Sequence, residues 1–469
     1  MAGIGFVLRD LNRQGNLVGL VRAYGHGVIV AAGPWLFTIL CLSAMNMVAL
    51  PFTDPDKLAL TRTIIVYNFA ASLIISGPFV MTNTRYLADR IYVKQVKEIP
   101  GMLLGSMLLV FAALAVPGIV FYGFMADLPV GLRVLAIINL LACGGIWTSM
   151  LFLTTLKNFK AVTTAFGVGM LFALFITIGG MHFGTVGLVA SFTAGLIVVL
   201  YILIGEVFVE YPFPVSQPFA FVGYLRKYWE LALSGLLYNL AIWIDKFVMW
   251  AAPQHITLAR VMPTYPAYDG AMFMAFLTFI PGMTLFLISA ETRFYEEYSG
   301  FYSDIRNKAN YRDIQSNQRR LLRVVYEIVR EVTTLQAIIC ALTILLAYQL
   351  IEFTSRDYSE LGIFRFGVLG VLFHSLLLFT SIFVIYFDLR RMLLLIYAVF
   401  FVTNGLFTYI AMHRGFVFYG FGYFAASLVS FLTAFVIFMM RIRKLPFLTF
   451  VANNQSVKAI RPSLPIPEN

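Results

Sequence analysis

Asp245 and Lys246 stand side by side inside LALSGLLYNLAIWIDKFVMWAAP, residues 231–253, a stretch long and apolar enough to cross a bilayer. An ionised side chain in hydrocarbon costs roughly 2.5 to 3.5 kcal/mol on insertion scales unless it meets water, protein or an opposite charge. The stretch is therefore expected to form the wall of something wet. At about 100° per residue, Asn239, Trp243, Lys246 and Trp250 share one face of a helix, and Ser234, Tyr238 and Asp245 an adjoining one. The competing reading is a buried structural ion pair with tryptophans anchoring the outer interface. Neighbours in sequence point about 100° apart, so each charge is expected to find its partner on another helix, with Asp269 a candidate for Lys246.

Other chemistries find less support. Asp54-Pro55-Asp56 is the best acidic pair, of a kind that would suit a membrane glycosyltransferase, but Asp-Pro is also a common turn former and Lys57 follows at once. The histidines at 26, 182, 255, 374 and 413 show no ligand spacing, so no metal is expected. The chain has no phosphate-binding loop of the G-x-x-x-x-G-K-[ST] type, and Cys143 has no evident base. We expect neither an enzyme nor a bound cofactor.

The elements that must position these residues are membrane helices. Of 469 residues, 60% are hydrophobic and 12% charged, which excludes an ordinary soluble protein. Twelve spans are predicted, at 28–50, 63–82, 101–123, 131–154, 161–180, 184–205, 231–252, 266–290, 334–351, 362–386, 392–411 and 416–440. With both termini in the cytoplasm, the inner segments hold 26 of the 34 Lys and Arg and the outer ones 7. That asymmetry explains the net charge of +11 through membrane topology and membrane lipids, without nucleic acid. The three cysteines fall inside spans, so no disulfide framework is implied, and the start lacks the pattern of a removable signal peptide.

The chain divides into an amphipathic N-terminal segment 1–27, a bundle 28–205, a proline-bearing linker 206–230, a bundle 231–440 and a tail 441–469. Six spans on each side of the linker give both halves the same orientation, so an axis along the membrane normal can relate them. Residues 291–333 read as a cytoplasmic helical hairpin with 8 basic and 7 acidic residues, suited to a partner or to extending its flanking spans. Trp35 and Asn46 share a face of span one; Asn68 and Ser72 repeat at helical spacing in span two; Asp269 sits near the outer end of span eight. Gly-Pro and Pro-Gly pairs at 77–78, 117–118 and 281–282 mark sites of helix bending. Aromatic faces and neutral amides recognise sugars, and Trp35, Tyr238, Trp243, Asn46, Asn68 and Asn239 supply both. A small-cation antiporter would need carboxylates deep in the bundle, and the first six spans contain none at mid-depth.

Several motifs, in order along the chain, resemble one family. These are the opening G-I-G-F-x-L-R, Arg22-Ala23-Tyr24, Gly33-Pro34-Trp35, Thr84-Arg85-Tyr86-Leu87-Ala88-Asp89-Arg90, Trp243-Ile244-Asp245-Lys246, Tyr268-Asp269-Gly270-Ala271-Met272-Phe273, Phe294-Tyr295-Glu296 and Tyr386-Phe387-Asp388-Leu389-Arg390-Arg391. They resemble the PelG family of Pel exopolysaccharide export, within the multidrug, oligosaccharidyl-lipid and polysaccharide exporter superfamily. The resemblance implies an all-α polytopic protein of twelve transmembrane helices in two six-helix bundles set in a V, with a central cavity lined mainly by helices one, two, seven and eight. It further implies a bacterial inner-membrane location, a Pel polysaccharide rich in N-acetylgalactosamine as cargo, and a cytoplasmic glycosyltransferase with membrane proteins like PelD and PelE as partners. Competing functions are a drug antiporter of the same superfamily and a scaffold for the synthase.

Overall fold

The computed structural model describes residues 17–443, with 156, 157 and 355 excepted. Its membrane-length helices are α1 Leu17–Ala49, α2 Pro55–Tyr92, α3 Ile99–Gly118, α4 Val130–Thr155, α5 Phe159–Gly180, α6 Gly184–Glu210, α7 Trp229–Met249, α8, α9, α10 Leu361–Tyr386, α11 Arg390–Arg414 and α12 Phe421–Ile442. Helix α8 runs in three pieces, α8a Pro266–Leu277, α8b Phe279–Ser289 and α8c Tyr295–Arg306; α9 runs in two, α9a Tyr311–Leu345 and α9b Ala347–Phe353.

By length and composition alone, residues 159–210 form one apolar stretch of 52 residues. A single helix that long would measure about 78 Å, more than twice the hydrocarbon thickness. A short 3-10 turn at Met181–Phe183 and Gly184, at φ +61°, break it instead. Helices α5 and α6 then pack antiparallel, Gly169 against Gly195 and Gly180 against Gly187. Among the described residues twelve membrane-length helices result, and the chain is a multi-pass membrane protein.

The two halves repeat one packing scheme. In the first, α1 meets α5, α2 meets α4, α3 meets α4, and α6 packs on α4 and α5; in the second, α7 meets α11, α8a meets α10, α9a meets α10, and α12 packs on α10 and α11. Each pair maps onto the other by adding six. The contacts between halves obey the same exchange, α2 with α7 and α1 with α8b. Each half also has its own large core, one centred on Leu103, Phe152, Phe192 and Leu196, the other on Phe294, Phe364, Phe383 and Phe400.

Proline explains two of the interruptions. After Pro117, α3 ends in a π-helical turn, Ile119–Met125. Pro281 has no N–H to offer the Leu277 carbonyl, and α8 breaks at Thr278, whose own carbonyl accepts from Gln336 Nε2 at 2.9 Å. Residues 17–27, expected as part of a separate segment, continue α1 as one helix of 33 residues. The rest of that segment, residues 1–16, and the tail from 444 lie outside the described residues. Between α7 and α8a the chain forms a β-hairpin that the spans did not predict, β1 Ile256–Leu258 against β2 Met262–Thr264.

Candidate functional site

A cavity of about 760 Å³ opens at the seam between the halves, walled by α1, α2, α7 and α8. Trp35, Asn46, Trp243, Lys246 and Asp269 all line it, together with Arg62, Tyr67, Trp250, Phe273 and Arg356. Its size falls within the range of ordinary ligand pockets, about 300 to 1,000 Å³. Asn46 is exposed onto it, and Trp35 meets Phe273 of the other half edge to face, centroids 6.2 Å apart.

The ion pair is built differently from the expectation. Lys246 Nζ folds back to lie 3.3 Å from both carboxylate oxygens of Asp245, its own neighbour, and 3.3 Å from the Ile242 carbonyl. The flexible lysine stem bridges the angular gap that fixed helix geometry leaves. Asp245 is wholly buried and accepts from Tyr268 Oη at 3.1 Å, whereas Lys246 retains 12% side-chain exposure and faces the cavity. The ammonium also lies over the rings of Trp243 and Phe276, at 5.7 and 5.2 Å. Asp245 is the anchor and Lys246 the surface it presents.

Asp269 belongs to a second cluster. Its Oδ2 accepts from Trp250 Nε1 at 2.9 Å and Thr264 Oγ1 at 3.3 Å, while Tyr67 stacks flat on Trp250 with centroids 4.7 Å apart. Among the described residues, Asp269 Oδ1 and Trp243 Nε1 are buried without a hydrogen-bond partner, one acceptor and one donor on residues that line the same cavity. Arg356 donates to the Pro266 carbonyl at 3.1 Å and pairs with Glu360. Arg62 is exposed on this wall, and its guanidinium makes no hydrogen bond or ion pair among the described residues. Sequence reading placed Arg62 and Arg356 among outer-loop charges and so missed them. The signal available was their position within two turns of a span end.

Besides the buried Asp245, four residues expected on the pathway do not line this cavity. Asn68 turns into the first bundle, donating to the Ala136 carbonyl and Asn139 Oδ1, both at 2.9 Å, and accepting from Tyr122 at 2.7 Å. Asn139 passes the network on to Thr193 at 3.0 Å, so one knot ties α2, α4, α6 and the end of α3. Ser72 accepts from Trp147 Nε1 at 3.1 Å. Tyr238 packs within the second bundle against Tyr397 and lies 3.3 Å from His374 Nε2. Asn239 crosses the seam and donates to the Leu73 carbonyl at 2.8 Å, beside the point where Gly77 and Gly235 bring α2 and α7 together. Asp54 pairs with Lys57 at 2.8 Å as the N-terminal boundary of α2.

The halves are clasped at both ends. At one end the β-hairpin of the second half sits on the first, with Tyr67 donating to the Pro263 carbonyl at 2.6 Å and Met262 buried among Ile64, Tyr122 and Leu132. At the other, Arg85 reaches Asp388 at 3.4 Å and Tyr224 donates to Asp89 at 3.3 Å.

Comparison with solved structures finds the same fold in known transporters. The chain is similar to a MATE transporter in its bent conformation, with a TM-score of 0.65 at 14% identity over 95% of this chain and 99% of that one. It is similar to a MOP superfamily transporter from Pyrococcus furiosus, described by the reverse polarity of its binding pocket, at 0.61 and 15% over 90% and 96%. A multidrug resistance MATE transporter in an inward-facing conformation matches at 0.60 and 15% over 89% and 99%. Identities this low show the fold alone. No curated protein sequence matches the chain. The family model described as "PelG: Putative exopolysaccharide Exporter (EPS-E)" matches residues 1–450, and the chain therefore belongs to the PelG family of exopolysaccharide exporters.

Proposed function

We propose that the chain carries a Pel-like polysaccharide, rich in N-acetylgalactosamine, across the bacterial inner membrane, with both termini in the cytoplasm. In this reading a cytoplasmic glycosyltransferase feeds the polymer to it, membrane proteins like PelD and PelE accompany it, and the chain itself catalyses nothing. The two bundles, 28–205 and 231–440, are the moving parts, joined by the cytoplasmic linker 206–230; the segment 1–27, the loop 291–333 and the tail 441–469 lie on the cytoplasmic side. The observation that carries the reading is the seam cavity. It offers the rings of Trp35 and Trp243 for the apolar faces of sugars, and Asn46 and Asp269 for hydroxyl and amide groups. Lys246 and Arg62 give it cationic positions without a matching number of free carboxylates, which suits a neutral or anionic cargo better than a small cation.

Trp243→Ala removes one ring face and one donor from the wall. Secreted polymer is expected to fall about five- to tenfold, the equivalent of about 1 to 1.4 kcal/mol at one contact, with the protein's level in the membrane unchanged. Trp243→Phe, which keeps a ring but loses the N–H, should fall between. Export at the wild-type rate with Ala in place would remove Trp243 from the pathway.

A further inference from the structure

The loop 291–333 is nearly balanced in charge along the sequence, but the fold separates the signs. Helix α9a buries Ile314, Gln318, Leu321, Val325, Ile328 and Val332 against the second bundle. Gln318 fixes that face by donating to the carbonyls of Ile442 and Arg443 at the end of α12, at 3.3 and 3.4 Å. The opposite face carries Arg312, Arg319, Arg323, Tyr326 and Arg330, which fall within about 60° of one another at helical spacing. All five are exposed, Tyr326 by 65%. Among the described residues, none of the four guanidinium groups has a hydrogen bond or an ion pair. Nearby acids lie elsewhere: Glu331 is taken by Arg293 and Asp304 by Asn317, while Asp313 and Glu327 flank the stripe without interrupting it.

A lipid surface does not fit this stripe. Helix α9a contains no proline, glycine or π turn that would kink it, and its C-terminal part is a membrane span, so the N-terminal part continues out of the bilayer on the same course. From Arg330 to Arg312 is about 27 Å, close to three Debye lengths at physiological salt. Headgroups can reach only its membrane end. A row of arginines with a tyrosine is the composition of a protein-binding surface, since Arg pairs bidentately with carboxylates and both types concentrate binding energy.

We propose that this face of α9a docks an acidic surface of a soluble protein. Resting on the function proposed above, that protein is the glycosyltransferase that makes the polymer, held so that its product emerges beside the seam. Arginine–carboxylate pairing then sets both the orientation of the enzyme and the salt sensitivity of the complex.

The test uses the full-length protein in nanodiscs of phosphatidylcholine alone, titrated with the purified glycosyltransferase at 150 mM and 500 mM salt. Wild type is compared with R312E/R319E/R323E/R330E, with the corresponding four-lysine variant, and with Arg414→Glu at the opposite end as a control. The expected result is wild-type binding that weakens with salt, drops about a hundredfold or more in the glutamate variant, and is partly kept by the lysine variant and fully by the control. Unaltered thermal midpoints show that the variants fold. Equal affinity of wild type and the glutamate variant overturns the stripe while leaving synthase coupling intact. Binding that appears only when phosphatidylglycerol is present makes the stripe a lipid contact and overturns it too. Absence of binding by wild type in every condition removes the coupling reading and the stripe with it.

Discussion

Asp245→Ala is expected to destabilise the folded protein by about 3 to 5 kcal/mol, the cost of leaving one member of a buried ion pair without its partner. Lys246 would keep only the Ile242 carbonyl and the two aromatic faces, and Tyr268 would lose its acceptor. Removing both charges together, as Asp245→Asn with Lys246→Met, should cost far less, because no uncompensated charge remains. Thermal unfolding of the single and double variants in the same detergent measures the difference. A D245A protein as stable as wild type would mean that cavity water already solvates Lys246. In that event the carboxylate is dispensable as an anchor, and the pair belongs wholly to the pathway.

Gly235→Ala is the second substitution with a large expected effect. A Cβ there would lie 2.4 Å from the Gly77 carbonyl oxygen and 2.8 Å from the Met81 Cγ. Met81 can move, but a helix backbone cannot step aside alone, so α2 and α7 must separate and strain the Asn239 to Leu73 hydrogen bond across the seam. Overpacking of this kind costs about 1 to 3 kcal/mol, and here the cost falls on the contact between bundles rather than within one. Export should drop and the melting temperature fall, while Gly223→Ala, where nothing lies within 4 Å, serves as a neutral control. If G235A exports and melts like wild type, close approach at this crossing is not required.

Much of the fold was legible because a bilayer demands long apolar helices, and the period of six helices survived in the placement of spans. Exact helix ends were not, since α2 and α9a run on as amphipathic or polar helix well past their apolar parts. The β-hairpin was illegible for a local reason. Its turn uses Ala259 and Arg260 at φ +45° and +69°, without the Gly or Asn that usually marks such a turn. Of the residues read for the site, Trp35 and Asn46 on α1, Trp243 and Lys246 on α7 and Asp269 on α8 line the cavity. Asn68 and Ser72 do not, because residues repeat at helical spacing whether they face water or a neighbouring helix, and here they tie α2 to its own bundle. In the loop 291–333 a net charge near zero conceals a helix face made only of arginine and tyrosine.

In the proposed function the seam between the bundles passes polysaccharide made on one side of the membrane. It is tested most directly with the purified protein in liposomes, given the glycosyltransferase and its sugar nucleotide on one side, and scored by polymer that becomes open to a glycosidase on the other. Protected polymer is expected to turn glycosidase-sensitive only when both proteins are present, and Trp243→Ala to reduce that signal without reducing synthesis. Polymer that stays on its own side while a small cation crosses down a proton or sodium gradient would contradict the account and make the chain an antiporter on the same fold.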